Sequence, residues 1–193
     1  MIETQIKSAS EKDIEQIISS IVLAFATDPV IRWMYPCAHQ YLRNFPEFIQ
    51  IFAGKAFEHQ TVYYTDNYAA AAFWYPPDSQ PDSDAIGAFL QQTIPEQQQE
   101  EIFSVLEQMN NYHPQDSYWY LAMLGVEANQ QHKGYGSALV KHKLEECDTQ
   151  GAIAYLESSK PENIPFYEKH GFQVIGEIQA GNSPTIFPML RSV

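Results

Sequence analysis

Residues 119–136 read WYLAMLGVEANQQHKGYG, and residues 137–147 continue as SALVKHKLEEC. The stretch begins as an apolar strand and passes through a polar loop into two glycines that open a helical pattern. Gly134 and Gly136 have no Cβ, so the backbone around them can turn freely and approach a ligand closely. The first N–H groups of the helix have no partner within it, and the helix dipole favours an anion beside them. The stretch therefore predicts a binding site for a phosphorylated ligand.

The spacing of the glycines limits which phosphate-binding motif this is. A Walker loop needs four residues between its first glycine and Gly-Lys-Ser/Thr, and no segment of the chain has that pattern. The dinucleotide fingerprint fits only in part, because its third small position is Leu139 and the loop from Val126 to Gly134 is longer than a tight strand-to-helix turn. The pattern that remains is Gln131-x-x-Gly134-x-Gly136.

A second motif lies about 30 residues further on, after the strand-like segment AIAYLESS (152–159). Residues 163–172 read NIPFYEKHGF. The two motifs, in this order and separated by one helix and one strand, resemble the signature of GNAT-type N-acetyltransferases. The resemblance is specific over roughly residues 118–191, where YLESSKPENIPFYEKHGF and FPML are similar to puromycin N-acetyltransferase-like members. His132 is a departure, since many relatives have a glycine there.

The resemblance implies that acetyl-CoA is the cosubstrate and that the glycine loop holds its pyrophosphate. The implied CoA-binding residues are Leu124, Gly125, Val126, Gln131, His132, Lys133, Gly134, Tyr135, Gly136, Ser137, Asn163, Phe166 and Tyr167. Among these, the backbone of Leu124 and Val126 is expected to pair with the pantetheine amides and to polarise the thioester. Gly125, inside the strand-like run, indicates a bulge or the close approach of another backbone.

The expected chemistry is direct transfer of acetyl to a primary amine, so neither cysteine is needed as a nucleophile. Tyr167 is the candidate general acid, because a phenol of pKa ~10 can protonate a thiolate leaving group of pKa ~8.5. An alkyl ammonium of pKa ~10.4 must lose a proton before it attacks. Glu157 and Glu127, each at the end of a strand, are the candidate bases, with Glu157 ranked first. His132 and His170 lack metal-ligand spacing, and no metal is expected.

The net charge of the chain limits the classes of molecule that it is expected to bind. A net charge of −13 argues against non-specific nucleic-acid binding and against an anionic membrane surface. The basic cluster near the loop consists of His132, Lys133, Lys141, His142 and Lys143. In this cluster Lys133 is the better phosphate partner, and the helical lysines are expected to cover a solvated face. Negative charge away from the cosubstrate favours a small cationic amine as acceptor.

The length and the element pattern predict one GNAT-like domain over residues 1–193, with a helical insertion at about 77–117. Within it, a short helix over 85–92 and a Gln/Glu-rich helix that ends at Met109 are expected. The fold expected is α/β, a mixed sheet of about six to seven strands with helices on both faces. No apolar run approaches the ~20 residues that span a bilayer, and the N-terminus lacks a signal-peptide layout. A cytoplasmic monomer or homodimer is expected, with Cys147 as a buried thiol on a helix.

Two other functions remain open at this point. One is a non-catalytic acyl-CoA-binding or regulatory module on the same fold, and the other is a dinucleotide-dependent oxidoreductase that uses the partial Gly-x-Gly match. No motif in the sequence identifies the acceptor. The aromatic residues that could line its site, or simply belong to the core, are Trp33, Tyr35, Phe73, Trp74 and Tyr75.

Overall fold

The computed structural model describes residues 4–192. Its strands are β1 Ile6–Ser8, β2 Val62–Thr65, β3 Ala70–Tyr75, β4 Tyr118–Val126, β5 Ile153–Ser158, β6 Gln173–Val174 and β7 Phe187–Arg191. Its α-helices are α1 Ile14–Ala24, α2 Pro29–Met34, α3 Ala38–Glu58, α4 Ser83–Thr93, α5 Glu96–Tyr112, α6 Tyr135–Gln150 and α7 Ile164–Glu168. Short 3₁₀ turns precede α1, α6 and α7.

The strands form one mixed sheet in the order β1-β2-β3-β4-β5-β7-β6. Every neighbouring pair is antiparallel except β4 and β5, which are parallel. The predicted fold class, an α/β protein with a mixed sheet of six to seven strands, is confirmed.

The parallel pair opens towards its carboxyl end. β4 and β5 are paired only from Tyr118 opposite Ile153 to Leu121 opposite Leu156. Beyond Leu121, β4 continues to Val126 beside β3 alone. A gap therefore lies between the far halves of β4 and β5, and it has unpaired backbone on one side.

Helices cover both faces of the sheet, each over its own apolar core. Strand side chains alternate between faces, so Tyr155 packs on the side of α1, α3 and α4, while Ala154 and Leu156 pack on the side of α6 and α7. Cys147 of α6 lies in the second core and is fully buried, which confirms the predicted thiol environment. Burial raises its pKa to about 11, so the thiol is protonated at neutral pH.

Lys143 of α6 contradicts the expectation that this helical lysine covers a solvated face. Only 2% of the residue is exposed. Its Nζ lies 3.9 Å from the ring centroid of Trp119 and 2.6 Å from Glu146 Oε2. The aliphatic stem can be buried because an aromatic face and a carboxylate compensate the charge of the ammonium.

The N-terminal third has two elements that the hydrophobic pattern did not predict, β1 and α2. β1 has only three residues and α2 only six, too few for a hydrophobic pattern to repeat several times, and β1 is formed through pairing with β2. Asp28 and Pro29, at which the helical pattern of α1 stops, also begin α2. The Asp28 carboxylate accepts hydrogen bonds from the N–H groups of Val30 and Ile31, and Pro29 takes the first helical position.

The predicted insertion corresponds to α4 and α5, which lie between β3 and β4. The sequence predicted a short helix over 85–92 and a longer one to Met109, and both helices extend slightly further. No helix within residues 4–192 is long and apolar enough to cross a membrane.

A buried carboxylate, Asp13, ties the start of α1 to the β2–β3 hairpin. One carboxylate oxygen accepts from the Ser10 backbone N–H and hydroxyl, and the other accepts from the hydroxyls of Tyr64 and Tyr68. Asp13 is 2% exposed. These hydrogen bonds, first those from Ser10 and then that from Tyr68, hold its pKa well below the usual value for aspartate.

We expect Asp13→Asn to lower the free energy of unfolding by about 2 kcal/mol at neutral pH, because an amide cannot accept all four donors. Since the bonds stabilise the ionised form, the wild-type advantage is present above the unfolded pKa of ~3.9 and is lost as the pH falls. Urea denaturation of both proteins at several pH values measures the difference between their free energies of unfolding. A difference between the two proteins that stays constant from about pH 5 to about pH 2 would contradict this role.

Candidate active site

The gap between β4 and β5 presents free backbone groups. The N–H of Glu127 donates to the carbonyl of Ala69, on the β3 side. Backbone groups alternate sides along a strand, so those of Leu124 and Val126 point towards the gap. The N–H groups of Leu124 and Val126 thus face the gap, while the Val126 carbonyl accepts a hydrogen bond from Gln131 Nε2.

Gly125 does not mark the bulge in β4. The pairing with β3 shifts where Phe73 faces Met123 and Trp74 faces Leu121, so the extra residue is Ala122. Instead, a Cβ at Gly125 would lie 2.7 Å from Cδ1 of Ile21. The side chains of α1 therefore approach β4 closely at Gly125. Of the two alternatives that the sequence left open, a bulge or a close approach of another backbone, the close approach is nearer to the structure, although side chains make it.

The glycine loop has two residues in the left-handed region. Gly134, with φ of 90°, precedes α6, and His132 has φ of 63°. His132 thus occupies a conformation that favours glycine, which gives a physical reason for the glycine that many relatives have there. The loop keeps the backbone path of the motif and accepts the strain of one non-glycine residue.

The first turn of α6 leaves three backbone N–H groups without an acceptor in the helix. The N–H of Ala138 already bonds to the Gly134 carbonyl, so the N–H groups of Tyr135, Gly136 and Ser137 are the ones without a helical acceptor. A Cβ on Gly136 would lie 3.4 Å from Val126 Cγ2 and 3.5 Å from Phe166 Cζ. These are ordinary contact distances, so the loop, β4 and α7 come together at this glycine, at the mouth of the gap.

The polar side chains of the loop are partly engaged. Lys133 Nζ donates to Gln130 Oε1 at 2.8 Å, and Gln131 Nε2 donates to the Val126 carbonyl at 3.4 Å. Ser137 Oγ lies 2.7 Å from Nε2 of His170. Burial, and then the charges of Lys141 and Arg191, lower the pKa of His170. His170 is thus a partly buried, hydrogen-bonded side chain.

Tyr167 lies on α7 and is 8% exposed. Burial, and then the negative charge of Asp28, raise its pKa well above the usual value of tyrosine, so the hydroxyl stays protonated at neutral pH. Phe166 packs edge-on against Tyr167, with ring centroids 5.0 Å apart. Asn163 precedes α7, is exposed, and does not cap the helix with its side chain. The second motif thus places one exposed amide and two packed aromatic rings beside the loop.

Asp28 is a residue of this region that the sequence interpretation missed. It is 3% exposed, and its Oδ2 accepts a hydrogen bond from Ser159 Oγ, directly after β5. Its charge acts on Tyr167. The Asp-Pro pair was visible in the sequence, but 131 residues separate Asp28 from Ser159, and no local pattern indicates that contact.

Glu157 points from β5 into a cluster of aromatic residues. Its side chain is 4% exposed, and its Oε1 lies 3.2 Å from Nε2 of His113. Tyr120 and Tyr155 surround the imidazole, with ring centroids 4.9 and 4.7 Å away. Glu127, by contrast, follows β4 directly and makes no ion pair among residues 4–192. The two candidate bases therefore lie in different surroundings.

Most of the aromatic residues proposed for the acceptor site belong to the core. Tyr35, Phe73, Trp74 and Tyr75 are at most 1% exposed, and Trp33 is partly buried. Four of the five residues therefore belong to the core. Within residues 4–192, no group of three or more His, Cys, Asp or Glu side chains could hold a metal ion.

Comparisons with known proteins identify a family. The family model described as "Acetyltransferase (GNAT) domain" matches residues 87–192, more than half of the chain. An uncharacterized N-acetyltransferase of Schizosaccharomyces pombe is 44% identical over 57 residues. That match covers 30% of this chain, and the chain spans only about a quarter of the relative's length, 23%.

Two solved structures have the same fold over the whole chain. Arylalkylamine N-acetyltransferase 2 of Aedes aegypti has a TM-score of 0.70 at 13% identity and covers 98% of this chain and 99% of its own. The PaiA N-acetyltransferase of Thermoplasma acidophilum, solved in complex with coenzyme A, has a TM-score of 0.58 at 12% identity and covers 100% of both chains.

Proposed function

This chain belongs to the GNAT acetyltransferase family, and we propose that it moves acetyl from acetyl-CoA directly to a primary amine of a small cationic acceptor. The observation that carries the proposal is the gap between β4 and β5, with the glycine loop and α7, the helix of Tyr167, beside its mouth. A thioester placed in that gap would meet free peptide N–H groups, and such groups stabilise a developing oxyanion.

The CoA half of the proposal assigns each part of the cosubstrate to a structural feature. The pyrophosphate lies against the free N–H groups at the start of α6, where the helix dipole also favours an anion. The pantetheine amides pair with the backbone of Leu124 and Val126. Asn163 bonds to polar atoms of the arm, and Phe166 packs against it. The coenzyme A complex of the Thermoplasma relative supports this use of the fold.

The proposal that the acceptor is cationic rests on the buried carboxylates near the gap. Glu157 and Asp28 are buried carboxylates at the carboxyl end of β5, since one belongs to that strand and the other bonds to Ser159 beyond it. No lysine or arginine forms an ion pair with either of them within residues 4–192. Buried negative charge without a cationic partner favours a cationic ligand nearby. The Aedes relative is named for an arylalkylamine acceptor.

In the proposed reaction, Glu157 removes a proton from the acceptor ammonium, directly or through water. The free amine then attacks the thioester carbon, and the gap orients the two substrates. As the intermediate collapses, the Tyr167 hydroxyl donates its hydrogen to the departing sulfur.

We expect Gly134→Glu to weaken CoA binding by at least about tenfold, because a carboxylate at the helix start repels the pyrophosphate and a side chain strains the left-handed backbone. Titration calorimetry with CoA measures it. Gly151→Glu is the matched control, since Gly151 also has a left-handed φ, 65°, has no neighbour within 4 Å of an added Cβ, and ends the same helix.

The control variant should lose stability but keep its CoA affinity. If wild-type protein shows no CoA binding, or if both variants bind CoA as tightly as the wild type, the pyrophosphate site is wrongly placed.

A further inference from the structure

We propose that His170 is a positioning residue for CoA, which holds the Ser137 hydroxyl at the pyrophosphate site and gains a positive charge when the pyrophosphate binds. The inference rests on the CoA half of the proposed function, because it needs the pyrophosphate to lie at the start of α6. It does not depend on which carboxylate is the base or on the identity of the acceptor.

The contact that carries the inference joins the second motif to the glycine loop. His170 comes shortly after α7, and its Nε2 lies 2.7 Å from Oγ of Ser137, in the first turn of α6. Ser137 also has one of the backbone N–H groups that lack a helical acceptor. A phosphate oxygen that bonds to the Ser137 hydroxyl would lie within about 6 Å of the imidazole nitrogen, the length of two hydrogen bonds.

Contacts with its backbone and with its ring hold His170 in this place. Arg191 Nε donates to the His170 carbonyl at 3.0 Å, and the same guanidinium forms an ion pair with Asp148 of α6. The ring of Phe166 packs edge-on against the imidazole, with centroids 5.0 Å apart. These contacts keep the imidazole against Ser137 and leave it partly exposed to solvent.

The surroundings of the ring disfavour a positive charge before CoA binds. Burial, and then the charges of Lys141 on α6 and Arg191 on β7, lower the pKa of His170. The positive end of the α6 dipole acts in the same direction. No carboxylate forms an ion pair with His170 in residues 4–192, and its chain neighbours Glu168 and Lys169 are exposed. The imidazole is therefore neutral at neutral pH.

A bound pyrophosphate reverses this balance, because it places negative charge beside the same ring. An opposite charge at this distance raises the pKa of a histidine by about one unit or more. The charged ring donates Nε2–H to the Ser137 oxygen, so the serine hydrogen is free to bond to a phosphate oxygen. The neutral ring can be either donor or acceptor to Ser137, and the charge argument holds for both tautomers. Solvent supplies the proton.

The sign of the pH effect follows from this change. A group whose pKa is higher in the complex than in the free protein takes up a proton on binding. The added CoA affinity is fully present below the pKa of free His170, which is lower than ~6.5, and is lost as the pH rises through the pKa of the complex. A rise of one unit corresponds to about tenfold in affinity and to an uptake of at most about half a proton.

Titration calorimetry with CoA from pH ~5 to pH ~8, in buffers of different ionisation enthalpy, measures affinity and proton uptake. His170→Gln keeps an amide that can bond to Ser137 but cannot become charged, and His170→Lys is always charged. His142→Gln is the matched control, because His142 is an exposed histidine of the same helix that packs on Tyr63 instead of the loop. The phosphate monoester of CoA titrates near pH ~6, but it contributes equally in every protein.

We expect the affinity of the wild type, relative to His170→Gln, to rise by up to about tenfold as the pH falls from ~8 to ~5. The wild type should take up as much as about half a proton more than this variant. At pH ~8 the two proteins should bind CoA almost equally, and His170→Lys should bind it at least as tightly as the wild type. His142→Gln should follow the wild type, and thermal unfolding curves check that each variant is folded.

The proposal is overturned if His170→Gln keeps the wild-type pH dependence, or if His142→Gln loses as much proton uptake as His170→Gln. Weaker binding by His170→Lys than by His170→Gln at pH ~8 would also overturn it, because a charge at this position would then oppose CoA. A wild-type protein that does not bind CoA overturns the pyrophosphate site and this proposal with it. CoA binding without transfer to any amine overturns acetyl transfer alone.

Discussion

Tyr167→Phe is expected to lower the turnover number about 10²- to 10⁴-fold, the range typical of general acid catalysis, while CoA affinity stays nearly unchanged. The substitution removes one hydroxyl and keeps the ring that packs against Phe166 and Phe172. Burial and the charge of Asp28 keep that hydroxyl protonated. In the variant the thiolate must leave without a donor, so the loss belongs to the chemical step.

Single-turnover measurement of thiol release separates this effect from binding and product release. Calorimetry with CoA and a thermal unfolding curve are the controls. A variant with the wild-type chemical rate would exclude Tyr167 as the acid. A variant whose CoA affinity falls as much as its turnover would indicate a binding role instead.

Glu157→Gln should lower turnover by up to about 10³-fold near neutral pH. An amine of pKa ~10.4 is neutral in only about one molecule in a thousand at pH ~7.4, so without a base the reaction depends on that fraction. The deficit should therefore shrink tenfold for each pH unit as the pH rises towards the pKa of the amine. A comparison of kcat/KM across that pH range measures it.

Glu127→Gln is the competing variant, because Glu127 ends β4 and was the second candidate base. If Glu127→Gln shows the pH-dependent deficit and Glu157→Gln does not, the base is Glu127. A Glu157→Gln deficit that is the same at every pH would mean that Glu157 does not remove the proton of the amine.

The sequence predicted those parts of the molecule that depend on local physics. The glycine loop and the helix after it follow from backbone conformations that only certain residues adopt, and from hydrophobic period. Cys147 was placed correctly because its position on the apolar face of α6 is a local property. The fold class followed from the order of the elements.

The parts that were missed depend on contacts between distant segments. His113 lies 44 residues before Glu157, after a helix whose end the sequence predicts near Met109, so nothing local links the two side chains. The burial of Lys143 was missed because the aromatic rings that stabilise its buried ammonium, Trp119 and Tyr63, belong to strands distant from α6 in the sequence. β1 exists only through its pairing with β2.

The most direct test of the central claim is thiol release from acetyl-CoA by the purified wild-type protein, measured with and without a panel of primary amines. We predict CoA release that depends on a cationic amine, with one acetyl-amine formed for each thiol. Thiol release that no amine accelerates, or tight CoA binding with no transfer to any amine, would contradict the assignment of this chain as an amine N-acetyltransferase.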